Sequence, residues 1–563
     1  MARSSALVVA GLLVALALPA QAEWTSAALY GGDVRTFAVD PADPDRIFAG
    51  TSSGQVYLSV DGGHVWQLGA AGNPLAGWVV SDLQPDPVKR GRMWAALWGI
   101  WGGGTVVYSD DSAQTWIPRQ QGLPGEQVYA LTFSPSGERL FAATRAGVFA
   151  SDDEGRSWRH LTSGHPEIQK VTSLLTDPRV PNMVIAGTWR RAYRSDDGGE
   201  TWSGVFNGMV LDSEIFTLLP GEKAGEIWAS TCGWVYRGEG WGEEWTRYRQ
   251  GLTQRRTPSL ELMGEGRVLA GTVSGLFVSS DRGASWQPRG PRDLPIHAIA
   301  WDARRPDRVL LGTEGGGVWR SDDSAVRFRD SSRGMTALRI SALAGQNGEV
   351  LAAVRSAGPA SGIYSSFDGG RTFQGRADSL PTVLSLAVSR NSILAGTDQG
   401  LYERAGTVWR ETDFRADRVE QLVAGPDRLL ARTASGLYER QDASFVAIEP
   451  LAGPGEAASL TVVKALSGST DQLARALGSG ARARVVSTGD VRFPFLSLTN
   501  TRQGWLHGQD GEAVVELELP VSGRDVAAAL MQDDRLLLGT SGFGLVAMSV
   551  PVELSSSAVA SGR

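Results

Sequence analysis

The chain has 563 residues, of which 42% are apolar and 20% charged, and its formal net charge is −7. The length exceeds one ordinary domain, and the composition is typical of a globular protein rather than a disordered one. Acidic and basic residues are mixed along the chain, which argues against general nucleic-acid binding because that function needs a basic surface. Cys232 is the only cysteine, so an internal disulfide is excluded.

The N-terminus has the pattern of a secretory signal peptide. Arg3 supplies the positive start, residues 7–18 form a short apolar run, and Ala20-Gln21-Ala22 is a small-residue cleavage site. The run is shorter than the roughly 20 residues that cross a bilayer, and no later run approaches that length. We predict that residues 1–22 are removed near Ala22. We also predict export to the periplasm or the medium, without membrane insertion.

The mature chain begins with a unit of four short predicted strands joined by turns. Residues 31–39 alternate in polarity and end at the turn sequence Asp40-Pro41. Residues 46–51 and 54–58 are predicted as the second and third strands. The stretch at 59–66 is predicted as a turn that leads into the fourth strand, which completes one antiparallel meander.

The stretch at 59–66 recurs in the form Ser-x-Asp-x-Gly-x-Thr-Trp, most clearly at residues 195–202. Successive copies lie 41–50 residues apart, and weaker, shorter units continue to about residue 550. A period in the forties with four strands per unit predicts an all-β fold of β-propeller blades. The aromatic residues that end the stretch fall at 66, 116, 158, 202, 245, 286, 328 and 373.

The chain holds about thirteen units, which are too many for one ring because propellers have about four to eight blades. We predict two tandem β-propellers built of four-stranded blades, about seven followed by six or seven. The predicted ranges are 23–330 for the first ring and 331–552 for the second, with a disordered tail at 553–563. Because the last unit ends after its third strand, a strand near Trp24 is a candidate to complete it.

The repeated stretch gathers acids, glycines and hydroxyls, but we interpret it as structural. Its Ser and Asp can accept backbone hydrogen bonds within a tight turn, its Gly permits a positive φ, and its Trp enters the core between sheets. Paired acids such as Asp196-Asp197 offer too few oxygens for a calcium loop, which needs about six. No pair of the five histidines has metal-ligand spacing. We therefore predict no metal and no cofactor.

Ser-x-Asp-x-Gly-x-Thr-Trp is the motif of the Asp-box, or BNR, repeat, and the resemblance covers residues 24–445 well and the remainder weakly. It implies the propeller fold but no particular function. The motif occurs in sialidases, two-propeller xyloglucanase-type glycoside hydrolases, sortilin-type receptors and photosystem II assembly factors. The run at 34–41 followed by 47–51 is most similar to bacterial exported proteins of the sortilin and assembly-factor type.

The resemblance to the enzyme families can be tested against their motifs. Sialidases carry Phe-Arg-Ile-Pro near the start, whereas the nearest string here, at residues 45–48, lacks the Pro. Xyloglucanase-type enzymes carry a catalytic Asp directly after the Ala-x-Thr of the first blade, where this chain has Ser52. Glu314 and Asp398 occupy the equivalent loop position in other blades. Only a cleft between the rings would bring them to the separation that a glycosidase needs.

The loops opposite the Asp-boxes are the expected ligand-binding face, because loops on a rigid scaffold carry function and these loops vary most. Aromatic and basic residues gather there in blades two to five, and such residues are typical of recognition surfaces. The predicted ligand-binding residues are Trp98, Trp101, Arg145, Trp189, Arg190, Arg191 and Trp234.

We predict an exported, non-catalytic propeller that acts as a binding or assembly scaffold, because both enzyme motifs are missing. Its partner would be a protein or a glycan bound by the loop face opposite the Asp-boxes. The alternative is a glycoside hydrolase or a carbohydrate-binding propeller of the xyloglucanase or sialidase type, with Glu314 and Asp398 as the candidate catalytic acids.

Overall fold

The computed structural model describes residues 25–550, and the described residues form β-strands, turns and loops. They contain no helix long and apolar enough to cross a bilayer. Trp101 and the predicted tail lie outside the described residues. The segments left out within the range are 71–73, 100–101, 211–213, 357–360, 378–379, 390–391, 415–417, 425–428, 442–443, 450–483, 488–494, 499–501, 508–512, 524 and 533–534.

Seven four-stranded antiparallel sheets form the first ring, and each sheet is a blade whose strands follow one another in the chain. Two short strands, β1 (Thr25–Ser26) and β2 (Gly31–Gly32), precede blade one. In chain order, the strands of blades one to seven are β3 (Val34–Val39), β4 (Ile47–Thr51), β5 (Val56–Ser59), β6 (Gln67–Leu68), β7 (Trp78–Pro85), β8 (Met93–Gly99), β9 (Gly104–Ser109), β10 (Ile117–Pro118), β11 (Val128–Phe133), β12 (Leu140–Thr144), β13 (Gly147–Ser151), β14 (Arg159–His160), β15 (Val171–Asp177), β16 (Val180–Thr188), β17 (Ala192–Ser195), β18 (Ser203–Gly204), β19 (Ile215–Pro220), β20 (Ile227–Thr231), β21 (Trp234–Glu239), β22 (Glu244–Tyr248), β23 (Ser259–Gly264), β24 (Arg267–Thr272), β25 (Gly275–Ser279), β26 (Gln287–Arg292), β27 (Ile296–Trp301), β28 (Val309–Thr313), β29 (Val318–Ser321) and β30 (Arg329–Asp330).

The second ring follows the short strand β31 (Thr336–Ala337), and its described part has five four-stranded sheets. Four of them use consecutive strands, and the fifth combines the last three strands of the chain with β1. These strands are β32 (Ile340–Gln346), β33 (Glu349–Val354), β34 (Gly362–Ser366), β35 (Gln374–Ala377), β36 (Val383–Ser389), β37 (Ser392–Thr397), β38 (Gly400–Ala405), β39 (Val408–Glu411), β40 (Val419–Ala424), β41 (Leu429–Thr433), β42 (Gly436–Gln441), β43 (Ser444–Glu449), β44 (Arg484–Ser487), β45 (Phe495–Leu498), β46 (Gln503–His507), β47 (Ala513–Glu518), β48 (Val526–Gln532), β49 (Arg535–Thr540) and β50 (Leu545–Ser549).

Each second strand lies inside its sheet and between neighbouring blades, so both of its faces are covered. Every residue of β12 and β28 is buried. Their sequences are accordingly apolar or small, apart from the Thr at the end of each strand. The buried Thr144 hydroxyl donates to the Gly147 carbonyl at 2.9 Å and so fixes the turn into the third strand. The predicted all-β fold of tandem propellers with four-stranded blades is confirmed.

The Asp-box at 195–202 is a hydrogen-bonded turn. Ser195 Oγ donates to Asp197 Oδ1 and accepts from the Gly199 N–H, both at 2.7 Å. Asp197 also accepts from the Thr201 hydroxyl at 2.6 Å and from its N–H at 2.9 Å, and these bonds hold the pKa of Asp197 below its ordinary value. Gly199 has φ of +100°, which L side chains resist. Trp202 packs against the core between blades three and four. The structural interpretation of the box agrees with this geometry.

The first ring closes through side-chain contacts and through a backbone bond from the Trp66 N–H to the Arg333 carbonyl at 2.9 Å. The first strand of blade seven, β27, packs beside the first strand of blade one, β3. On the Asp-box side, Arg308 Nη1 and Arg305 Nη2 donate to the Asp45 carboxylate at 2.6 and 3.0 Å. The indole of Trp66 donates to the Ser331 carbonyl at 2.9 Å. Among the described strands, none is exchanged between blades one and seven.

The second ring closes through the N-terminus. Strand β1 pairs antiparallel with β50, with Thr25 opposite Ala547 and Ser26 opposite Val546, and so becomes the fourth strand of the last sheet. Ala27 and Leu29 are then buried in the core of the second ring. The expectation that an N-terminal strand completes the last unit is confirmed, and residues 25–26 belong to the second ring rather than the first.

Candidate functional site

The two rings meet through the loops opposite the Asp-boxes. Ser53, in the loop after the second strand of blade one, donates to the Gly542 carbonyl in the corresponding loop of the last blade at 2.7 Å. The Glu314 carbonyl in blade seven accepts from the Ser356 hydroxyl of the second ring at 3.3 Å. Strand β2 also pairs in parallel with β31 at the start of the second ring. The described bonds between the rings therefore involve blades one and seven.

Four charged or titratable side chains connect at this meeting point, and we call them the junction cluster: Asp33, Arg35, His297 and Glu314. His297 Nε2 lies 3.0 Å from Glu314 Oε2. Arg35 Nη1 lies 3.2 Å from His297 Nε2 and 3.4 Å from His297 Nδ1, and Arg35 Nη2 donates to Asp33 Oδ2 at 2.6 Å. In the tautomer with a proton on Nε2, His297 donates to Glu314 and accepts from Arg35. The four side chains then form a continuous chain of polar contacts.

Glu314 is the accessible member of the junction cluster. Its side chain is 41% exposed, whereas that of Asp33 is 10% exposed. The hydrogen bond with His297 is the main cause of a lowered Glu314 pKa, which the nearby charges of Arg35 and Arg339 lower further. An accessible carboxylate that stays ionised can act as a base, a nucleophile or an electrostatic stabiliser, and it is poorly suited to donate a proton.

Local backbone geometry aims two members of the cluster. The first strand of blade one has a bulge between Val34 and Thr36, and that of blade seven has one between Ile296 and Ala298. The extra residues are Arg35 and His297, one on each of two adjacent first strands. β-Bulges re-aim side chains and are frequent beside active sites. Similar bulges occur in the first strands of several other blades, so it is the adjacency of blades seven and one that brings together two residues 262 positions apart in the sequence.

Asp398, the second predicted acid, lies in the loop after the second strand β37 of the second ring. Its N–H donates to the Thr382 carbonyl at 3.1 Å, and its Oδ1 is buried without a hydrogen-bond partner among the described residues. No described contact joins Asp398 to the junction cluster. Glu314 lies where the two rings meet. Its pairing with Asp398, which would require a cleft between the rings, stays a prediction.

The predicted aromatic and basic residues differ in accessibility. Trp189 is 38% exposed, and Lys170 Nζ lies 4.3 Å from its ring centroid. Arg145 is exposed, with its Nε 3.8 Å from Glu126. Trp98 is half-buried at the end of β8. These residues lie on the loop face opposite the Asp-boxes, as the blade geometry predicts.

Blades four and five supply the remaining predicted residues. Arg190 is exposed, and the Arg191 guanidinium carbon lies 4.4 Å from the centroid of the Phe206 ring. Trp234 has a positive φ of 90° and packs half-buried against the core between blades five and six. Trp234 therefore contributes to the packing of blades five and six as well as to the loop face.

Sequence reasoning missed Asp33, Arg35 and His297. His297 is one of five histidines scattered over distant blades, and no spacing relates it to Arg35. The available signal was ring closure: blade seven must pack beside blade one, so equivalent positions on their first strands are neighbours. Applied to residues 297 and 35, that rule would have found the pair.

Comparison with known proteins extends these observations. The BNR/Asp-box repeat family matches residues 193–203, which confirms the repeat. A curated xyloglucanase of Paenibacillus sp is 28% identical over 205 residues, 33% of this chain and 19% of the relative. The oligoxyloglucan-reducing end-specific xyloglucanase of Emericella nidulans is 26% identical over 199 residues, 32% of this chain and 24% of the relative. The chain thus matches about a quarter or less of the length of these relatives.

A solved structure agrees over almost the whole chain. The GH74 xyloglucanase from Xanthomonas campestris superposes with a TM-score of 0.59 at 16% identity, covering 94% of this chain and 100% of that one. At this identity the likeness shows the tandem-propeller fold.

The predicted non-catalytic scaffold function is wrong as a first choice, because the curated relatives are glycoside hydrolases. The missing first-blade acid and the missing sialidase motif led to that choice, with Glu314 and Asp398 kept only as candidate acids of the alternative. The relatives favour the alternative, a glycoside hydrolase or carbohydrate-binding propeller. The similarity to sortilin-type and assembly-factor-type proteins stays a prediction.

Proposed function

We propose that the protein is a glycoside hydrolase that binds a β-linked polysaccharide between its two rings and cleaves it at the junction cluster. One observation carries the proposal: Glu314, an accessible carboxylate with a lowered pKa, lies where the two rings meet. The xyloglucanase relatives supply the reaction class.

In this proposal Glu314 replaces the first-blade acid of xyloglucanase-type enzymes. That position is Ser52 here, and the neighbouring Ser53 is bonded to Gly542 of the second ring. Blade seven is adjacent to blade one, so its equivalent loop lies beside the loop that carries Ser52. Glu314 acts as the base or nucleophile because its carboxylate is ionised and accessible.

A second carboxyl group must donate a proton to the leaving sugar, and in glycosidases the two groups lie about 5 to 10 Å apart. Asp398 is our candidate, because it is the described acid at the equivalent loop position of the second ring. Predicted export, with cleavage near Ala22, would deliver the enzyme to extracellular polysaccharide.

The test is the release of reducing ends from xyloglucan and other β-1,4-glucans by the purified protein. We expect Glu314→Gln to lower the rate about 100-fold or more without lowering Tm, because a general base or nucleophile contributes at least that much. Asp398→Asn should also lose activity, and Glu138→Gln, an exposed acid in a turn on the Asp-box side, should keep it.

Two results would overturn the proposal. The first is the absence of reducing ends, at high enzyme concentration, from neutral glucans and from their C6-oxidised forms alike. The second is a full rate in Glu314→Gln, which would place the chemistry elsewhere.

A further inference from the structure

One sector of the loop face opposite the Asp-boxes is unusually basic for this chain. Six cations lie on or beside the loops opposite the Asp-boxes in blades three to five, and we call them the cationic sector: Arg145, Lys170, Arg190, Arg191, Arg255 and Arg256. Three described acids lie on the same loops, Glu126, Glu167 and Glu214, with Asp212 outside the described residues. Cations are therefore in excess here, although the whole chain carries −7. A local potential opposite in sign to the net charge indicates an anionic ligand.

The sector also combines charge with aromatic surface. Lys170 lies 4.3 Å from the Trp189 ring centroid, Arg191 lies 4.4 Å from that of Phe206, and Arg256 lies 5.1 Å from that of Phe216. Such pairs hold the cations in place through attraction to the ring. A sugar ring can pack its C–H face on the aromatic surface while a guanidinium binds its carboxylate through paired hydrogen bonds.

The sector is open to a long ligand. Arg145, Arg190, Arg255 and Arg256 are exposed, and Trp189 keeps 38% of its surface. The described bonds between the rings involve blades one and seven, so the loops of blades three to five lie on the other side of the first ring. A chain of sugars that reaches Glu314 in blade seven would cross this face.

We propose that the cationic sector binds a polysaccharide that carries carboxylates, so that the substrate is a uronate-containing glycan. The inference rests on the proposed hydrolase function and adds the substrate class. It separates this chain from its relatives, whose printed names refer to xyloglucan, a neutral polymer. An extended nucleic acid fits less well, because the acidic remainder of the surface would repel it.

The experiment compares two ligands that differ only in charge: cello-oligosaccharides and their C6-oxidised forms, which are β-1,4-linked glucuronates. We expect the oxidised form to bind more tightly, with an affinity that falls as salt rises. The triple variant Arg145→Glu, Arg255→Glu, Arg256→Glu should weaken that binding about tenfold or more. Arg255→Glu alone should weaken it less, and Arg90→Glu, an exposed arginine on the Asp-box side, should leave it unchanged.

Equal binding of both oligosaccharides would overturn the inference, as would wild-type binding by the triple variant. Tighter binding of single-stranded DNA or polyglutamate than of the oxidised oligosaccharide would assign the sector to another class of partner. The hydrolase proposal fails separately: binding of oxidised oligosaccharides without release of reducing ends supports the sector and overturns hydrolysis. Release of reducing ends from the neutral oligosaccharide, together with equal binding of the neutral and oxidised forms, would support hydrolysis and overturn the proposal for the cationic sector.

Discussion

The two rings are built from the same blade but are closed in different ways. The first ring closes without a shared strand: Arg305 and Arg308 bind Asp45, and Trp66 donates through its indole to Ser331 and through its N–H to Arg333. The second ring takes its last strand, β1, from the opposite end of the chain. The first ring therefore contains everything that its closure needs, whereas the second ring depends on about six residues that precede the first.

The Asp-boxes differ between the rings as well. Full boxes recur in most blades of the first ring, whereas Asp368 marks the one full box among the described blades of the second. The later blades, such as that of β36–β39, hold their strands through apolar core residues including Leu394 and Leu401. The comparison predicts two unfolding units with different weak points.

The largest expected effect comes from β1, the N-terminal strand that completes the last sheet of the second ring. Ala27 is 4% exposed, and its N–H donates to the Leu545 carbonyl at 2.9 Å. Ala27→Asp would put an unpaired charge into the core of the second ring, so we expect its thermal transition to be lost while that of the first ring persists. Calorimetry with limited proteolysis measures this. Ser26→Asp changes an exposed neighbour and should be tolerated.

A single transition that shifts as a whole in Ala27→Asp would contradict the division into two units. The rings would then unfold together, and the strand exchange would serve to join them rather than to close one of them.

An intermediate effect is expected from the Asp-box. Asp197→Ala removes bonds to Thr201 and to Ser195, so the first transition should lose roughly 1–3 kcal/mol. Asp196→Ala is the matched control, because that side chain is exposed and contacts Arg194 alone among the described bonds. Calorimetry of Asp368→Ala should show the same loss in the second transition. A loss of stability in the second transition for Asp197→Ala, or in the first transition for Asp368→Ala, would refute the assignment of the two transitions to the two rings.

The smallest effect concerns closure of the first ring at low pH. Hydrogen bonds from Arg305 and Arg308 lower the Asp45 pKa from 3.8 to about 2. A lowered pKa stabilises the fold above the unfolded value and stops doing so as pH falls through the folded value. We therefore expect the first transition temperature to fall between pH 3.8 and about 2, and Asp45→Asn to flatten this decline.

The size of the Asp45 effect should be about 1 kcal/mol or less, because its side chain is 36% exposed. Asp293→Asn is the control, since that acid is exposed and no described salt bridge involves it. Thermal melts of the wild type, Asp45→Asn and Asp293→Asn across this pH range measure the effect. An unchanged pH profile in Asp45→Asn would show that the closing pairs contribute nothing measurable.

The sequence predicted the blades well because the Asp-box is local. Ser195 to Trp202 contains all the groups that form its turn, so its spacing measured the blades directly. The closing strand was predictable because the last unit visibly lacked a fourth strand. Both signals lie within one repeat or at a chain end.

The candidate site was predicted in part because it is not local. Glu314 stands out as an acid at a repeated loop position. Its partners Arg35 and His297 depend on bulges and on ring closure, which no single repeat shows. The half-buried states of Trp98 and Trp234 depend on packing across neighbouring blades, so residue type alone overestimated their accessibility.

The pairing of β1 with β50 also determines the order in which the two rings can close. A ribosome releases Thr25 and Ser26 first and their partners Val546 and Ala547 nearly last. The first ring can therefore fold before the last strands of the second emerge, whether during synthesis or during the predicted export. Throughout that interval the N-terminal segment must stay unpaired, so the second ring can close only after synthesis is almost complete.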